Sequence, residues 1–540
     1  MYFGLFIISL CSLAEATSCS YSAISLPLRD IQVLPDIENS YMRGIPATVG
    51  SPAQNIVVLP WAELNNTWLY DYVALCDTSI VFSDTICRVR RGNFFYENAS
   101  ETYEKGSSMA TVGGANIETA GYGAESGIKD LTKTSLTGSD IFSPGATNLS
   151  AFPIGILRQN WDHGYTILHA MGMGSNSTYL NSLVQTGKIA SRVWSIFWGR
   201  MWIDHPLDGQ VVVGGYDQEK IIGQNYTQAL DFSDATGCWT GMKVTISDIE
   251  LIDRTGSTTS IFPPKFALPV CLVPQRQLLI EAPYSIFTTF QNKTNTQTTG
   301  VSYGLHWLAQ LYDSTNYFQG DLSIKLSSGL QVTIPNSQFM PPFVTIDRNG
   351  SRVFNQSERE FLYGVISDQP STLGRYFLTA AYLMVNHDQS TFTLWQANPS
   401  VATDLVPTIS RDTAESCANV TTSGTVVVNG TTTEPGASSP TTKATANTST
   451  GLSPGVLAGI SIGIASIVCL LAGICWYIFQ RKKRAQKIAE TTSRPPPAFV
   501  PDSTFAGYHE VQGTQSKHEM DASKRTWEYG QRDESVQELA

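Results

Sequence analysis

The chain has 540 residues, of which 42% are hydrophobic and 15% are charged, and its formal net charge is −11 at pH 7. A single hydrophobic core rarely grows beyond about 250–300 residues, so this length predicts several segments rather than one domain. The acidic balance argues against a nucleic-acid-binding protein, because such proteins present a basic surface. We expect no nucleic acid among the partners of this chain.

Residues 1–16 have the features of a secretory signal peptide. An apolar run at 2–13 is followed by Ala-Glu-Ala at 14–16, which matches a small-residue cleavage site. We therefore expect the mature chain to begin near Thr17, with 17–40 forming an N-terminal segment.

Residues 455–479 predict one transmembrane helix. The segment is uncharged and exceeds the roughly 20 apolar residues that span a bilayer core. Trp476 and Tyr477 lie where an aromatic belt is expected, and Arg-Lys-Lys-Arg at 481–484 places the C-terminus in the cytoplasm. This predicts a type I protein of the plasma membrane or another secretory-pathway membrane, with an extracellular or lumenal ectodomain.

Two segments on either side of this helix are too polar to form a core. Residues 398–454 are rich in Ser, Thr, Ala, Gly and Pro, which is typical of a glycosylated stalk or, alternatively, of a plain flexible linker. Residues 480–540 predict a disordered cytoplasmic tail. Tyr508, Tyr529 and three prolines at 495–497 are candidate elements for recruiting cytoplasmic proteins.

The cysteines and glycosylation sequons agree with a secreted ectodomain. Six cysteines lie outside the signal peptide and the membrane helix, and an even number in an oxidising compartment predicts disulfides. The preferred pairing joins Cys76 to Cys87 by proximity, Cys238 to Cys271, and Cys19 to Cys417, although other connectivities remain open. All N-x-S/T sequons precede the membrane helix. They begin at Asn65, Asn98, Asn148, Asn176, Asn225, Asn292, Asn349, Asn355, Asn419, Asn429 and Asn447.

Residues 41–397 are the part of the chain predicted to fold as the ectodomain. Short β-type runs such as 210–213, 242–246 and 330–334 are separated by Gly, Asn, Asp and Pro. Helical patterns are few, and the best lie at 179–186 and 283–292. This pattern of many short strand-like runs and few helical segments predicts the all-β class.

Several motifs in this region resemble the pepsin-like family of aspartic proteases. They are Tyr41 with Gly-Ser-Pro-Ala-Gln at 50–54 and the apolar run 56–59, the pair Cys76 and Cys87, the apolar-Gly segment 170–174, the helix and strand patterns at 179–189 and 193–197, the Gly-Gly segment 209–217, and the C-terminal stretch 371–388. The resemblance implies a bilobal double β-barrel with lobes at about 41–205 and 206–397 and a cleft between them. The layout is similar to that of membrane-anchored fungal members.

The first active-site loop of that family is altered here. The chemistry of the family needs two aspartates that share one proton, each on an Asp-Thr/Ser-Gly turn. In the loop 55–69, counting back from Trp68 places Trp61 at the aspartate position, or Pro60 if one residue is inserted. Neither side chain can carry a proton.

The second loop, 267–279, is altered in the same way. Counting back from its two final leucines places Val273 at the aspartate position, or Pro274 with a one-residue gap. We therefore expect no catalytic residue at these positions, and an apolar cleft floor where Trp61 or Pro60 faces Val273 or Pro274.

No other residues compensate for the missing acids. Glu63 is the sole carboxylate in the first loop and is expected to be a solvated loop residue, because its longer arm does not reproduce the paired geometry. In the expected flap, 109–127, Tyr122 is the nearest match to the flap tyrosine of the family. Asp162-His163 and Asp204-His205 are isolated pairs typical of loops, so we expect no metal and no cofactor.

Three functions fit this sequence. The first is a type I membrane glycoprotein whose aspartic-protease-like ectodomain is non-catalytic and binds a peptide or cell-wall polymer, or senses, at the cell surface. The alternative is a membrane-anchored aspartic endopeptidase with an atypical acid pair. The third is a glycoprotein whose head is merely structural. The missing carboxylates favour the first over the second, and nothing in the sequence separates the first from the third.

Overall fold

The computed structural model describes residues 21–409 apart from 73–75, 77–82, 119–134, 159–167, 234–235 and 368–369. Within these residues no helix is long and apolar enough to cross a bilayer. The predicted signal peptide, transmembrane helix and cytoplasmic tail, and most of the predicted stalk, lie outside the described residues.

The described chain is built mainly from β-strands, which confirms the predicted all-β class. In chain order the strands are β1 Ile24–Gln32, β2 Tyr41–Val49, β3 Gln54–Trp61, β4 Thr67–Tyr70, β5 Glu104–Gly106, β6 Leu136–Pro144, β7 Leu149–Leu157, β8 His169–Gly172, β9 Val193–Phe197, β10 Gly209–Val213, β11 Gly215–Asp217, β12 Ile221–Ala229, β13 Lys243–Ile252, β14 Thr258–Ser260, β15 Leu268–Leu272, β16 Ile280–Pro283, β17 Gly300–Val301, β18 Gln310–Asp313, β19 Asp321–Leu326, β20 Gln331–Ile334, β21 Pro342–Ile346, β22 Arg352–Phe361, β23 Tyr363–Ile366, β24 Ser371–Leu373, β25 Ala381–Asn386, β26 Thr391–Ala397 and β27 Leu405–Pro407.

Short helices join these strands. The α-helices are α1 Asp84–Arg91, α2 Thr178–Gln185, α3 Tyr284–Thr294 and α4 Asn336–Phe339, and 3₁₀ turns lie at Glu97–Ala99, Ala110–Val112, Gln218–Lys220 and Arg375–Thr379. Helices α2 and α3 confirm the two predicted helical segments.

Helix α1 follows local capping rules that the sequence prediction did not use. The Ser83 side chain accepts a hydrogen bond from the Ile86 backbone N–H at its start, and Gly92 ends it with φ 76°. Asp84 in the first turn and basic residues in the last turn complement the helix dipole.

One large sheet joins the beginning and the end of the folded chain. Its strand order is β12-β26-β25-β9-β10-β1-β2-β3-β8-β4-β7-β6-β5, so β25 and β26, from the end, lie beside β9, β10 and β1. A second sheet, β20-β19-β13-β15-β24-β16-β23, belongs to the C-terminal half. The large sheet thus contains strands from both halves, whereas the second sheet belongs to the C-terminal half alone.

The folded region is wider than the predicted range 41–397. Strand β1 pairs with β10 and β2 and buries Leu26 and Leu28 completely, although 17–40 was predicted to be an N-terminal segment outside the ectodomain. Strand β27, in the predicted stalk, pairs with β11. A proline and two charged residues interrupt the apolar pattern of β1, so its strand character depends on pairing with partners distant in sequence.

Candidate functional site

The two loops that the sequence resemblance singled out occupy equivalent places in a duplicated motif. In the N-terminal lobe β3 runs parallel to β8, and β4 returns antiparallel to the same strand. In the C-terminal lobe β15 runs parallel to β24, and β16 returns antiparallel to it. The loops 61–66 and 273–279 connect the first and second strands of each motif.

A glycine lies against each of these loops in the same way, which supports their equivalence. A Cβ added to Gly172 would lie 2.4 Å from the Asn66 carbonyl oxygen, and a Cβ added to Gly374 would lie 2.2 Å from the Leu278 carbonyl oxygen. Each glycine therefore lets its strand approach the backbone of the facing loop, where no larger residue fits.

The pairing register identifies the residues at the ends of the two strands. Trp61 is paired with Gly172, while Leu272 is paired with Leu373, so that the next residue, Val273, comes beside Gly374. The register thus places Trp61 and Val273, rather than their neighbouring prolines, at corresponding points. No carboxylate stands at either point.

Trp61 and Val273 are both buried but belong to separate apolar clusters. Trp61 is 4% exposed and packs in the main core, whereas Val273 is fully buried against Trp239 and the disulfide between Cys238 and Cys271. Each side chain thus packs among residues of its own surroundings, and the expectation that Trp61 or Pro60 faces Val273 or Pro274 stays a prediction.

The residues that meet between the loops are Glu63 and Gln275, two positions beyond Trp61 and Val273. The Gln275 Nε2 donates a hydrogen bond of 3.0 Å to the Glu63 Oε1. Glu63 is 2% exposed and Gln275 is 8% exposed. The prediction that Glu63 is a solvated loop residue is wrong, since the second loop covers it.

The first loop is fastened to the segment that leads into the expected flap. The Asn66 Nδ2 donates to the Glu118 carboxylate at 2.8 Å, and the Asn65 Nδ2 donates to the Ile117 carbonyl oxygen at 2.8 Å. Burial raises the pKa of the Glu118 carboxyl, and the hydrogen bonds from Asn66 oppose that rise. Tyr122, the flap candidate, lies outside the described residues.

The second loop is fastened by a buried arginine. The Arg375 Nε and Nη2 donate to the carbonyl oxygens of Arg276 and Gln275. Burial lowers the pKa of Arg375 to about 10. Both loops are therefore held by hydrogen bonds to other parts of the fold.

The structure places the other predicted residues as follows. The disulfides Cys76–Cys87 and Cys238–Cys271 are present. Cys19 and Cys417 lie outside the described residues, as do Asp162 and His163. Asp204 and His205 are exposed, and no cluster of metal-ligating side chains occurs in the described part of the chain.

The sequons divide into two groups. Asn65 is only 2% exposed and its amide is used in hydrogen bonds, so the folded protein offers no access to it, and we expect no glycan there although the sequon predicts one. Seven further sequons are exposed at Asn98, Asn148, Asn176, Asn225, Asn292, Asn349 and Asn355. The remaining three, Asn419, Asn429 and Asn447, lie outside the described residues.

A buried chain of polar groups was missed by sequence reasoning. The His306 ring bonds to the Glu360 carboxylate through Nδ1 and to the Tyr376 hydroxyl through Nε2, each at 2.6 Å. All three side chains are 2% exposed or less. Their positions in the sequence are far apart and carry no shared motif, so only the fold brings them together.

Comparisons with known proteins add a fold likeness. No protein-family model matches the sequence, and no curated protein is similar to it. Among solved structures the chain is similar to the aspartic proteinase from Irpex lacteus, with 14% sequence identity and a TM-score of 0.46, over 71% of this chain and 99% of that one. A likeness of this strength assigns neither a family nor an activity.

Proposed function

We propose that this protein is a type I membrane glycoprotein whose aspartic-protease-like ectodomain is non-catalytic and binds or senses at the cell surface. The observation that carries the proposal is the register of the two loops, which brings Trp61 and Val273 to the ends of the two parallel strands. Neither residue can donate or accept the proton that a dyad must share.

The burial of the loops supports the same proposal. Residues 61–66 are all at most 4% exposed, and Val273 is fully buried. A catalytic acid must reach substrate and water, whereas Trp61 and Val273 pack in apolar surroundings. Trp61 and Val273, in place of two aspartates, also avoid the free-energy cost of burying two carboxylates.

The membrane and surface parts of the proposal rest on sequence features together with the ectodomain. The seven exposed sequons and the two disulfides suit an oxidising compartment. The apolar segment 455–479 and the basic stretch after it support a single membrane span with the tail in the cytoplasm. Its partners are then a peptide or cell-wall polymer in the cleft and cytoplasmic proteins at the tail.

One observation favours the alternative, an endopeptidase with an atypical acid pair. Glu63 lies buried between the loops and is hydrogen-bonded to Gln275 of the opposite loop. In this alternative Glu63 would act as the acid or base. An amide, however, does not exchange protons as a second carboxylate does, so the pair lacks half of the dyad.

One assay separates the two candidates. The purified full chain is incubated with denatured protein across acidic pH, with and without an aspartic-protease inhibitor, beside a Glu63→Gln variant and a Glu358→Gln control. We expect no cleavage by any of the three. Inhibitor-sensitive cleavage that disappears in Glu63→Gln and persists in Glu358→Gln would overturn the proposal.

A further inference from the structure

The first residues of the predicted stalk, 398–408, lie against the folded domain as a strap. The strap begins directly after β26, which belongs to the large sheet, and it ends with β27. Strand β27 pairs with β11, so that Pro407 lies opposite Gly215 and Leu405 lies opposite Asp217. A pull on the later part of the chain therefore reaches β27 before it reaches β26.

A buried lysine fastens the first half of the strap. Lys220 is 4% exposed, and its ammonium donates to the Ser400 carbonyl oxygen at 2.5 Å and to the Ala402 carbonyl oxygen at 2.7 Å. The Asn398 N–H donates to the Lys220 carbonyl oxygen, and the Asn398 Nδ2 donates to the Glu219 carbonyl oxygen, each at 2.8 Å. Hydrogen bonds from a charged donor are about twice as strong as neutral ones, so the ammonium is the main fastening of this half.

A buried aspartate fastens the second half. Asp217 is fully buried, and its Oδ1 accepts a hydrogen bond of 2.8 Å from the Asp404 N–H. At the far end the Thr408 N–H donates to the Gly214 carbonyl oxygen at 2.9 Å, and the Ser191 Oγ donates to the Thr408 carbonyl oxygen at 2.6 Å. The strap is therefore bound along its whole length by polar contacts.

The strap contributes little to the hydrophobic core. Every residue from 398 to 409 is half-buried or exposed, and Val401 is 87% exposed. Most side chains of the preceding strands β25 and β26 are buried. Segments with few buried apolar contacts open at a smaller free-energy cost than core strands do. Opening would also admit water to Lys220 and Asp217, so these charges would regain solvation when they lose the strap.

We propose that the strap is the first element of the folded domain to open when tension is applied through the C-terminal part of the chain, while the sheets stay folded. The proposal rests on the proposed function only for the source of the tension, which is the membrane anchor at 455–479. A surface protein held at one end carries the load on its bound partner through the segment next to its anchor. Opening of the strap converts that load into exposure of the β11 edge.

Optical-trap pulling of the purified full chain in detergent, with handles ligated to its two ends, tests the order of opening. The strap spans at most about 40 Å when fully extended, because each residue adds about 3.3–3.6 Å. We expect a first, reversible extension step no longer than this, at a force below that of the main unfolding event. A main event with no earlier step of this size would overturn the proposal.

Variants assign the step to the strap. Lys220→Met removes the ammonium and keeps most of the side-chain length, and Asn398→Ala removes one hydrogen bond from the strap itself. Each is expected to lower the force of the first step and to leave that of the main event unchanged. Lys325→Met is the matched control, because Lys325 is paired with Glu250 in the second sheet, and it is expected to leave the first step unchanged. A first step that neither strap variant lowers, or that Lys325→Met lowers equally, would refute the assignment.

Hydrogen exchange of the unmodified chain keeps the test decisive if a variant fails to fold. Peptides covering 398–408 are expected to exchange at least about tenfold faster than peptides covering β25 and β26, because the strap opens without the sheet. Equal protection of the two regions would contradict the proposal. The membrane anchor is tested separately: release of the chain from membranes by alkaline carbonate would refute the anchor, whereas the trap and exchange data alone decide the order of opening.

Discussion

The hydrogen bond between Gln275 and Glu63 predicts a measurable energetic coupling between the two loops. Both groups are nearly fully buried and their bond is 3.0 Å long. Removing one partner of a buried hydrogen bond leaves the other unsatisfied, at a cost of about 1–3 kcal/mol. Gln275→Leu and Glu63→Leu are each expected to lower the free energy of unfolding by that amount.

The double variant separates this bond from the other contacts of each side chain. When both polar groups are replaced, neither is left unsatisfied, so the double variant is expected to lose less than the sum of the single losses. The coupling energy should be about 1–2 kcal/mol in favour of the pair. Urea unfolding of the full chain at constant pH measures all four free energies, provided that the urea slope stays constant.

An exposed ion pair provides the control. The Lys325 Nζ lies 2.6 Å from the Glu250 Oε1, and the two side chains are 35% and 18% exposed. Solvent screening holds the coupling of such a pair below about 1 kcal/mol. A coupling between Glu63 and Gln275 no larger than that between Lys325 and Glu250 would refute the view that the buried contact joins the loops.

Three further predictions concern single positions. Burial lowers the pKa of His169 from 6.5 to about 3, so the unfolded chain takes up the proton at a higher pH than the folded chain does. The free energy of unfolding should therefore fall as the pH drops from 6.5 towards 3. Urea unfolding at a series of pH values should show a flatter dependence over this range for His169→Gln. Gly172→Ala should destabilise the chain by about 1–3 kcal/mol, because its Cβ would overlap the facing backbone, whereas Gly300→Ala, with no atom within 4 Å of its Cβ, should not, as measured by urea unfolding. Glycopeptide mass spectrometry should find no glycan on buried Asn65, whereas Asn98→Gln, which removes an exposed sequon, should abolish one glycopeptide.

Each of these predictions has a result that contradicts it. A profile for His169→Gln as steep as that of the unmodified chain would exclude the buried imidazole as the cause. Equal free energies of unfolding for Gly172→Ala and Gly300→Ala would show that the strand and loop are not in close contact. A glycan on Asn65 would mean that modification occurs before the first loop is covered.

Several elements could be predicted from local sequence. The segments 179–186 and 283–292 were predicted from helical patterns and correspond to α2 and α3. The strands near 210–213, 242–246 and 330–334 were predicted from short apolar runs bounded by turn residues. In these places the pattern within one segment decides its conformation, so no distant partner has to be known.

Other elements depended on partners that lie far away in the chain. Strand β1 joins β10, and β27 joins β11, across most of the folded region. Glu63 was expected in solvent because its own loop gives no sign of the second loop that covers it. The exposure of a polar side chain is a property of the assembled fold, and a single segment does not encode it.

The sequence by itself determined the chemistry available in the two loops, because the identities of Trp61 and Val273 exclude a proton-sharing pair whatever the fold. Only the tertiary structure decided which side chains meet. It joined Glu63 to Gln275 and enclosed Asn65. It also brought His306, Glu360 and Tyr376, which are far apart in the sequence, into one buried chain of hydrogen bonds. The reason is physical: composition sets which bonds a residue can form, whereas distance and burial set which of them it does form.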